Sequence, residues 1–118
     1  MPHRAPKLTV YEKPACTTCQ ELSALLVERG VDFETVDYHV DELSEEKIRS
    51  LLHKAGITAR EALRMREPRA EQFSDASEDD IIAAMSEHPE LLQRPIVEYG
   101  DRAVLARPVA RVHELFSA

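Results

Sequence analysis

The 118-residue sequence contains little of what marks several common protein classes. Only two cysteines and three glycines are present, so neither a secreted disulfide scaffold nor a glycine-rich nucleotide-binding loop is expected. The longest apolar runs are a few residues, whereas a membrane-spanning helix needs about 20. The segment Met1–Lys7 lacks the apolar stretch of a signal peptide. These absences favour a single cytoplasmic domain with no membrane association and no bound nucleotide.

The sequence also lacks a cluster of positive charge. Its 22 acidic residues outnumber the 15 basic ones, which gives a formal net charge of -7. Because Lys and Arg are not concentrated in any segment, binding to nucleic acid or to anionic membranes through bulk electrostatics is not expected. Arginine nevertheless supplies 11 of the 15 basic side chains. Its planar fork of donors is suited to gripping oxyanions, so this excess prompts a search for an anion site.

Both cysteines lie in one Cys-x-x-Cys motif, formed by Cys16 and Cys19. A β-prone run, Leu8–Tyr11, precedes the motif, and leucines at helical spacing follow it before Gly30 ends the helix. The order strand, loop, helix places Cys16 in the loop that enters the first helical turn. Unpaired backbone N–H groups and the helix dipole stabilise an anion there, which lowers the pKa of a thiol and favours its reactive thiolate form.

Other roles for the two cysteines are less well supported by the sequence. A structural zinc site normally needs four Cys or His ligands, and the chain has no second cysteine pair and only widely separated histidines. We therefore expect no metal site. Two readings remain: two ordinary buried thiols, or redox and nucleophilic chemistry. A Cys-x-x-Cys motif between a strand and a helix favours the second.

The remaining hydrophobic patterns predict a βαβ unit, a helical segment and a ββα unit. They indicate a strand at Phe33–Tyr38, a helix from Ser44 to Gly56, a short helix from Thr58 that carries Leu63, a polar irregular stretch from Arg66 to Ala76, a helix from Ser77 through Met85, a brief turn from Pro89 through Leu92, strands at Arg94–Tyr99 and Arg102–Ala106, and a closing amphipathic helix from Val109 to Phe116. This order predicts an α/β thioredoxin-like fold with a mixed four-stranded sheet. In the single domain 1–118, residues 7–42 and 93–118 are expected to form the core and about 43–92 an inserted helical subdomain.

Four segments carry a resemblance to a known family. They are Pro14-Ala15-Cys16, Gly56–Arg64 with the pattern Gly-Ile-Thr-x-Arg-x-x-x-Arg, Leu92–Val97 with the sequence Leu-Gln-Arg-Pro-Ile-Val, and Leu105–Pro108 with the sequence Leu-Ala-Arg-Pro. In this order and spacing they resemble the ArsC family, which comprises the glutaredoxin-coupled arsenate reductases and relatives that include Spx. The resemblance runs from about Leu8 to Phe116.

The resemblance implies roles for five residues. In arsenate reductases of this family the first cysteine of the motif is the nucleophile and three arginines hold the oxyanion. The matching positions are Cys16, Arg64, Arg94 and Arg107. The family also has a cis proline ahead of the strand that faces the cysteine, so a cis bond before Pro95 is expected. Three guanidinium groups offer up to about fifteen N–H donors to a tetrahedral oxyanion, and their charge stabilises a thiolate.

Five further positions lie near the nucleophile in the sequence. Glu12 stands where the arsenate reductases have a histidine, and Gln20 where they have an arginine; a carboxylate raises the pKa of a nearby thiol. Cys19 is a serine in many of the reductases and a cysteine in Spx-like members, where the pair can form a disulfide, so Cys19 is a candidate resolving thiol. Thr17 and Thr18, with the loop N–H groups, are candidates either for contacting the oxyanion or only for capping the helix.

The resemblance implies a thiol-dependent oxidoreductase that reduces arsenate to arsenite through a Cys16 thiolate adduct, without a bound cofactor. Either glutathione with glutaredoxin or Cys19 supplies the second thiol in this interpretation. Two alternatives stay open. One is an Spx-like redox sensor that binds RNA polymerase when the Cys16 and Cys19 pair is oxidised, and the other is a general thiol–disulfide oxidoreductase with no oxyanion substrate.

Overall fold

The computed structural model describes residues 7–116, which form a four-stranded sheet with helices on both faces. The elements are strand β1 (Leu8–Glu12), helix α1 (Thr17–Glu28), strand β2 (Phe33–Asp37), helices α2 (Glu45–Ala55), α3 (Ala59–Ala62) and α4 (Glu78–Glu87), strands β3 (Ile96–Tyr99) and β4 (Arg102–Leu105), and 3-10 helices at Pro68–Phe73, Pro89–Leu91 and Val109–Leu115. No helix within residues 7–116 is long and apolar enough to cross a membrane.

The sheet has the strand order β2-β1-β3-β4. β1 and β2 are parallel, as a βαβ unit requires, whereas β3 is antiparallel to both β1 and β4. The mixed sheet predicted from the sequence is therefore confirmed. The cysteine motif begins helix α1 at the carboxyl end of β1, next to the start of β3.

Alternation along the strands divides the core into two layers, because successive side chains of a strand point to opposite faces of the sheet. Val10 of β1 packs with Leu22 of α1 on one face, together with the C-terminal 3-10 helix. Its neighbour Tyr11 packs on the other face with Ile96 and Leu105 against α2, α3 and α4. Both faces of the sheet are thus covered, which explains why β1 is buried along almost its whole length.

The helical segment is joined to the sheet beside the cysteine motif. An isolated antiparallel bridge links Leu63, just after α3, with Leu92, just before β3. Next to it, the N–H of Arg64 donates to the carbonyl of Leu91 at 2.7 Å. This pairing places Arg64 alongside the short segment that carries Arg94, although the two arginines are far apart in the sequence.

The helix boundaries follow the predicted caps. The side chains of Ser44, Thr58 and Ser77 each accept a hydrogen bond from the backbone N–H three residues later. Thr58 forms a reciprocal capping box with Glu61. Gly56 ends α2 in the left-handed conformation at φ 68°, which a residue with a Cβ rarely adopts.

The closing segment is a 3-10 helix, and the amphipathic α-helix expected from Val109 to Phe116 is wrong. Val112 and Leu115 are buried, and their spacing of three matches the three residues per turn of a 3-10 helix. Phe116, expected on the apolar face, is 44% exposed. A spacing of three fits either helix type, so the sequence pattern did not separate them.

Three smaller predictions are also corrected. The stretch 66–76, expected to be irregular, contains the 3-10 helix Pro68–Phe73, which buries Ala70 beneath it. Helix α3 ends before Leu63, which becomes its C-cap residue. Strand β2 ends at Asp37, so Tyr38 leaves the sheet and is free to pack elsewhere.

A charged cluster lies between α2 and the sheet, with the carboxylate of Glu98 at its centre. Glu98 accepts hydrogen bonds from the hydroxyl of Tyr11 at 2.7 Å and from the ammonium of Lys47 at 3.0 Å, and it also pairs with Lys54. Burial by itself raises the pKa of the Glu98 carboxyl, but these three hydrogen bonds lower it to about 2. The cluster thus ties helix α2 to strand β3.

We predict that Glu98→Gln lowers the free energy of unfolding by about 1–2 kcal/mol at neutral pH, because two ammonium groups lose their partner. The folded-state pKa lies below the unfolded value of 4.5, so the ionised carboxylate stabilises the fold above that pH and the contribution is lost between pH 4.5 and about 2. In urea unfolding across this pH range, the free energies of unfolding of the wild type and of Glu98→Gln are therefore expected to become equal in acid. A constant difference at all pH values would contradict the assignment.

Candidate active site

Cys16 is the N-cap residue of helix α1. Its N–H closes the preceding turn by donating to the carbonyl of Lys13 at 2.9 Å, and its Sγ accepts a hydrogen bond from the N–H of Cys19 at 3.4 Å. The sulfur thus takes the position that a serine or threonine hydroxyl usually has at a helix start. The N–H groups of Thr17 and Thr18 have no intrahelical acceptor because they lie in the first turn. They are therefore available to an anion beside the sulfur.

The environment of Cys16 favours the thiolate. Burial raises the pKa of this half-buried thiol, but hydrogen bonds from the thiol and N–H of Cys19, together with a hydrogen bond and the positive charge of Arg94, hold the pKa below its usual value. The thiolate is the nucleophilic form of cysteine. The pKa of Cys16 is thus lowered in the direction predicted from the helix start and from the arginines, and among the arginines Arg94 contributes to the shift.

Cys19 lies in the opposite electrostatic environment. It is fully buried, and burial, the neighbouring Cys16 and the charge of Glu12 raise its pKa to about 12. Glu12 is itself buried, and burial and the charge of Asp37 raise the pKa of its carboxyl. The rise in thiol pKa expected from a carboxylate at position 12 therefore occurs at Cys19. A thiol with this pKa is almost entirely protonated near neutral pH.

A cleft of about 250 Å³ opens beside Cys16. Its walls come from four separate parts of the chain and consist of Ala15, Cys16, Thr17, Thr18, Arg64, Arg66, Arg94 and Arg107. The structure thus brings together all the residues that the sequence proposed for oxyanion binding. The peptide bond before Pro95 is cis, as expected, and the Arg107–Pro108 bond is cis as well.

Arg94 is the most deeply buried guanidinium of the cleft. The residue is 6% exposed, and its buried Nε and Nη1 atoms have no hydrogen-bond partner among residues 7–116. Arg107 donates to the backbone carbonyl of Arg94 at 3.0 Å. The side chain of Arg64 is 12% exposed and lies 3.7 Å from the carboxylate of Glu67. Buried donors without acceptors are costly, and the arginines that line the cleft give it a positive charge suited to an anion.

Tyr38 and His39 pack behind Arg94. The hydroxyl of buried Tyr38 donates to the carbonyl of Leu92 at 2.6 Å, and burial keeps it protonated by raising its pKa. The His39 ring lies 4.7 Å from the Tyr38 ring. Burial and the charges of Lys13 and Arg94 lower the pKa of His39, so this histidine adds no positive charge to the site at neutral pH.

We predict that Tyr38→Phe lowers the free energy of unfolding by about 1–2 kcal/mol, because the buried carbonyl of Leu92 loses its hydrogen bond. The carbonyl belongs to the segment that carries Arg94, so kcat/KM of any reaction in the cleft is also expected to fall. Denaturant unfolding and substrate kinetics measure the two effects. Unchanged stability would show that the hydroxyl does not hold this segment.

Two residues of the site are not singled out by the sequence. Arg66 lines the cleft, but in the sequence it is one of many arginines and matches none of the family segments. Tyr38 reads as the last residue of a strand, and its contact with Leu92 spans 54 positions of sequence. Only proximity to Arg64 could have drawn attention to Arg66, and no local pattern marks Tyr38.

The sequence pattern of the ArsC family matches residues 11–115. The chain belongs to the ArsC family. Among its ArsC relatives, the arsenate reductase of Haemophilus influenzae is 31% identical over 111 residues, which are 90% of this chain and 96% of that protein. The global transcriptional regulator Spx of Lactiplantibacillus plantarum is 28% identical over 92 residues, 75% of this chain and 70% of that protein.

The fold agrees with this ArsC membership. The structure of an arsenate reductase from Vibrio cholerae matches this chain with a TM-score of 0.87 and 31% identity, covering 94% of this chain and 98% of the other. The thioredoxin-like α/β fold predicted from the sequence is thus confirmed. Within residues 7–116, no three His, Cys, Asp or Glu side chains are grouped so that they could hold a metal ion.

Proposed function

We propose that this protein is a thiol-dependent arsenate reductase in which Cys16 is the nucleophile. The observation that carries the proposal is the cleft in which Arg64, Arg94 and Arg107 surround a Cys16 thiol of lowered pKa. The identity of about a third with the arsenate reductases of Haemophilus influenzae and Vibrio cholerae supports this substrate class.

The charges of the cleft suit a small tetrahedral oxyanion. Four guanidinium groups line the cleft together with one thiolate, and the carboxylate of Glu67 lies 3.7 Å from the guanidinium of Arg64. A net positive charge therefore remains for an anion to neutralise. The guanidinium of Arg94 lines the cleft and is held by largely buried surroundings, so its position is fixed before an anion binds. The free N–H groups of Thr17 and Thr18 add donors on the side of the sulfur.

The proposed first step is a substitution at arsenic(V). The Cys16 thiolate forms a sulfur–arsenic bond while an arsenate hydroxyl takes up a proton from solvent and leaves as water, so arsenic remains As(V). In the second step another thiol bonds to the Cys16 sulfur while the sulfur–arsenic bond breaks. Its electron pair stays on arsenic, which leaves as arsenite, and the two sulfurs become a disulfide. The arginines stabilise the negative charge of the oxyanion throughout.

The structure favours an external thiol for the second step. Cys19 is fully buried and its pKa is raised to about 12, so its thiolate is scarce at neutral pH, whereas the cleft leaves Cys16 open to solvent. A small thiol such as glutathione can reach this sulfur. The resulting mixed disulfide needs a further thiol, from glutathione or from glutaredoxin, to return Cys16 to its reduced state.

The test is arsenate-dependent oxidation of thiol by the purified protein. The protein is incubated with arsenate and glutathione, with and without glutaredoxin, and arsenite and disulfide are both measured. One disulfide per arsenite is expected, with no disulfide formed when arsenate is omitted or replaced by phosphate, which cannot be reduced in the same way. Absence of arsenite with glutathione, with glutaredoxin and with a dithiol would overturn the proposal.

A second candidate function is a Cys16–Cys19 redox switch. It is favoured by the direct contact between the two cysteines and by the identity of 28% with the Spx regulator. In this case oxidant, and not arsenate, would convert the pair to a disulfide and change the affinity for RNA polymerase. Mass spectrometry of the oxidised protein and a polymerase pull-down separate this function from arsenate reduction.

A further inference from the structure

Arg66 lies at the mouth of the cleft and differs from its three arginine neighbours. It lines the cleft with Cys16 but is exposed, whereas Arg64 and Arg94 are largely buried. Among residues 7–116 it has no ion pair or hydrogen bond from its side chain. Its charge is close enough to Arg64 to contribute to the lowered pKa of that residue, so the two guanidinium groups act in the same electrostatic field.

The position of Arg66 suits a ligand other than the oxyanion. The inner donors of Arg64, Arg94 and Arg107 and the helix start can satisfy a tetrahedral oxyanion at Cys16. Once such an anion has neutralised the inner charges, Arg66 remains an uncompensated cation on the path by which a second reactant approaches the sulfur. A carboxylate on that reactant would find its partner there.

We propose that Arg66 selects the reducing thiol by binding a carboxylate of an anionic low-molecular-weight thiol, such as glutathione, while its sulfur approaches Cys16. This inference rests on the proposed function and names the second substrate class of the same site. No extra chemical step is added: the thiol still forms the disulfide with Cys16 as arsenite leaves. Arg66 is thus a specificity-determining residue for the reductant and not a ligand of arsenate.

The test compares donors of different charge in Arg66 variants. With arsenate saturating, Arg66→Gln is expected to raise KM for glutathione by roughly three- to tenfold and Arg66→Glu by more, as for an exposed ion pair near a charged site. Arg66→Lys is expected to restore most of the loss. KM for the uncharged thiol 2-mercaptoethanol should stay the same in all three variants. Arg29→Gln, which removes an exposed arginine at the far end of α1, is the matched control.

Two results would overturn the inference. If Arg66→Gln raises KM for arsenate and leaves KM for glutathione unchanged, Arg66 is an oxyanion ligand. If it affects glutathione and 2-mercaptoethanol equally, it does not select by charge. Raised ionic strength is expected to weaken the wild-type preference for glutathione, because an exposed ion pair is screened by salt.

A second readout needs no arsenate and so separates this inference from the proposed function. The rate at which Cys16 reacts with glutathione disulfide is compared with its rate towards an uncharged disulfide of 2-mercaptoethanol, by mass spectrometry. Arg66→Gln is expected to slow the first reaction selectively. If the wild type fails to reduce arsenate but this selectivity persists, the proposed function fails and the role of Arg66 stands. If Arg66→Gln slows both reactions equally or neither of them, the role of Arg66 is wrong and the proposed function is unaffected.

Discussion

Cys16→Ser is expected to reduce arsenate-dependent thiol oxidation by more than about 1,000-fold, whereas Cys19→Ser is expected to retain activity within a few-fold when glutathione is in excess. A serine hydroxyl is not ionised at neutral pH and cannot replace the thiolate. Serine is also a preferred N-cap residue, so helix α1 keeps its cap and the loss cannot be attributed to unfolding. Arsenite production and thermal unfolding of each variant are the measurements.

The contrast between the two cysteines rests on their environments. Cys16 is half-buried with a lowered pKa, and Cys19 is fully buried with a pKa of about 12. If Cys19→Ser loses as much activity as Cys16→Ser while it remains folded, Cys19 is the resolving thiol and the external-donor step is wrong. Cys19→Ala serves as a second variant, because it does not bury a hydroxyl at this apolar position.

The same environments predict how Cys16 alkylation depends on pH. Iodoacetamide reacts with the thiolate, so the rate should follow a titration whose midpoint lies below that of an ordinary cysteine. Removal of the Cys19 thiol takes away one of the hydrogen bonds that lower the pKa of Cys16. We therefore expect Cys19→Ala to move this midpoint upward only in part, since the charge of Arg94 and the backbone N–H of residue 19 remain.

Features that depend on nearby residues were predictable from the sequence. The helix starts at Ser44, Thr58 and Ser77 were predicted correctly because an N-cap is recognised from the residues of one helical turn. The position of Cys16 at a helix start has the same origin. Where a local pattern fits two structures, as at Val112 and Leu115, the sequence did not distinguish a 3-10 from an α-helix.

Features that depend on distant contacts were predictable only through the family resemblance, or not at all. Arg64 and Arg94 meet because the bridge between Leu63 and Leu92 joins two remote segments, and no periodicity of the sequence encodes that bridge. The resemblance supplied these two arginines. It did not supply Arg66 or Tyr38, because their positions in the cleft and behind it follow from tertiary packing alone.

The second large effect is expected at Arg94. Arg94→Met is expected to lower kcat/KM for arsenate by about 100- to 1,000-fold, the loss typical of removing a preformed oxyanion donor. It should also raise the pKa of Cys16, because the hydrogen bond and charge of Arg94 help to lower it. Arg94→Lys keeps the charge without the planar fork, so we expect it to preserve most of the Cys16 pKa and to recover only part of the arsenate kinetics.

Although Arg94→Met is expected to lower activity, it is expected to leave the stability of the fold unchanged or to raise it. Two buried guanidinium nitrogens of Arg94 have no acceptor among residues 7–116, so in the absence of an anion this side chain is a cost to the fold and not a support. Arg94→Met should therefore unfold at the same temperature as the wild type or higher. The control is Arg49→Met, which changes an exposed arginine paired with Asp79. It should change neither the Tm nor kcat/KM for arsenate. Arsenate should raise the Tm of the wild type and have no effect on Arg94→Met. A lower Tm together with normal arsenate kinetics would make Arg94 a structural residue, and the positive charge of the cleft would then have to act through Arg64 and Arg107.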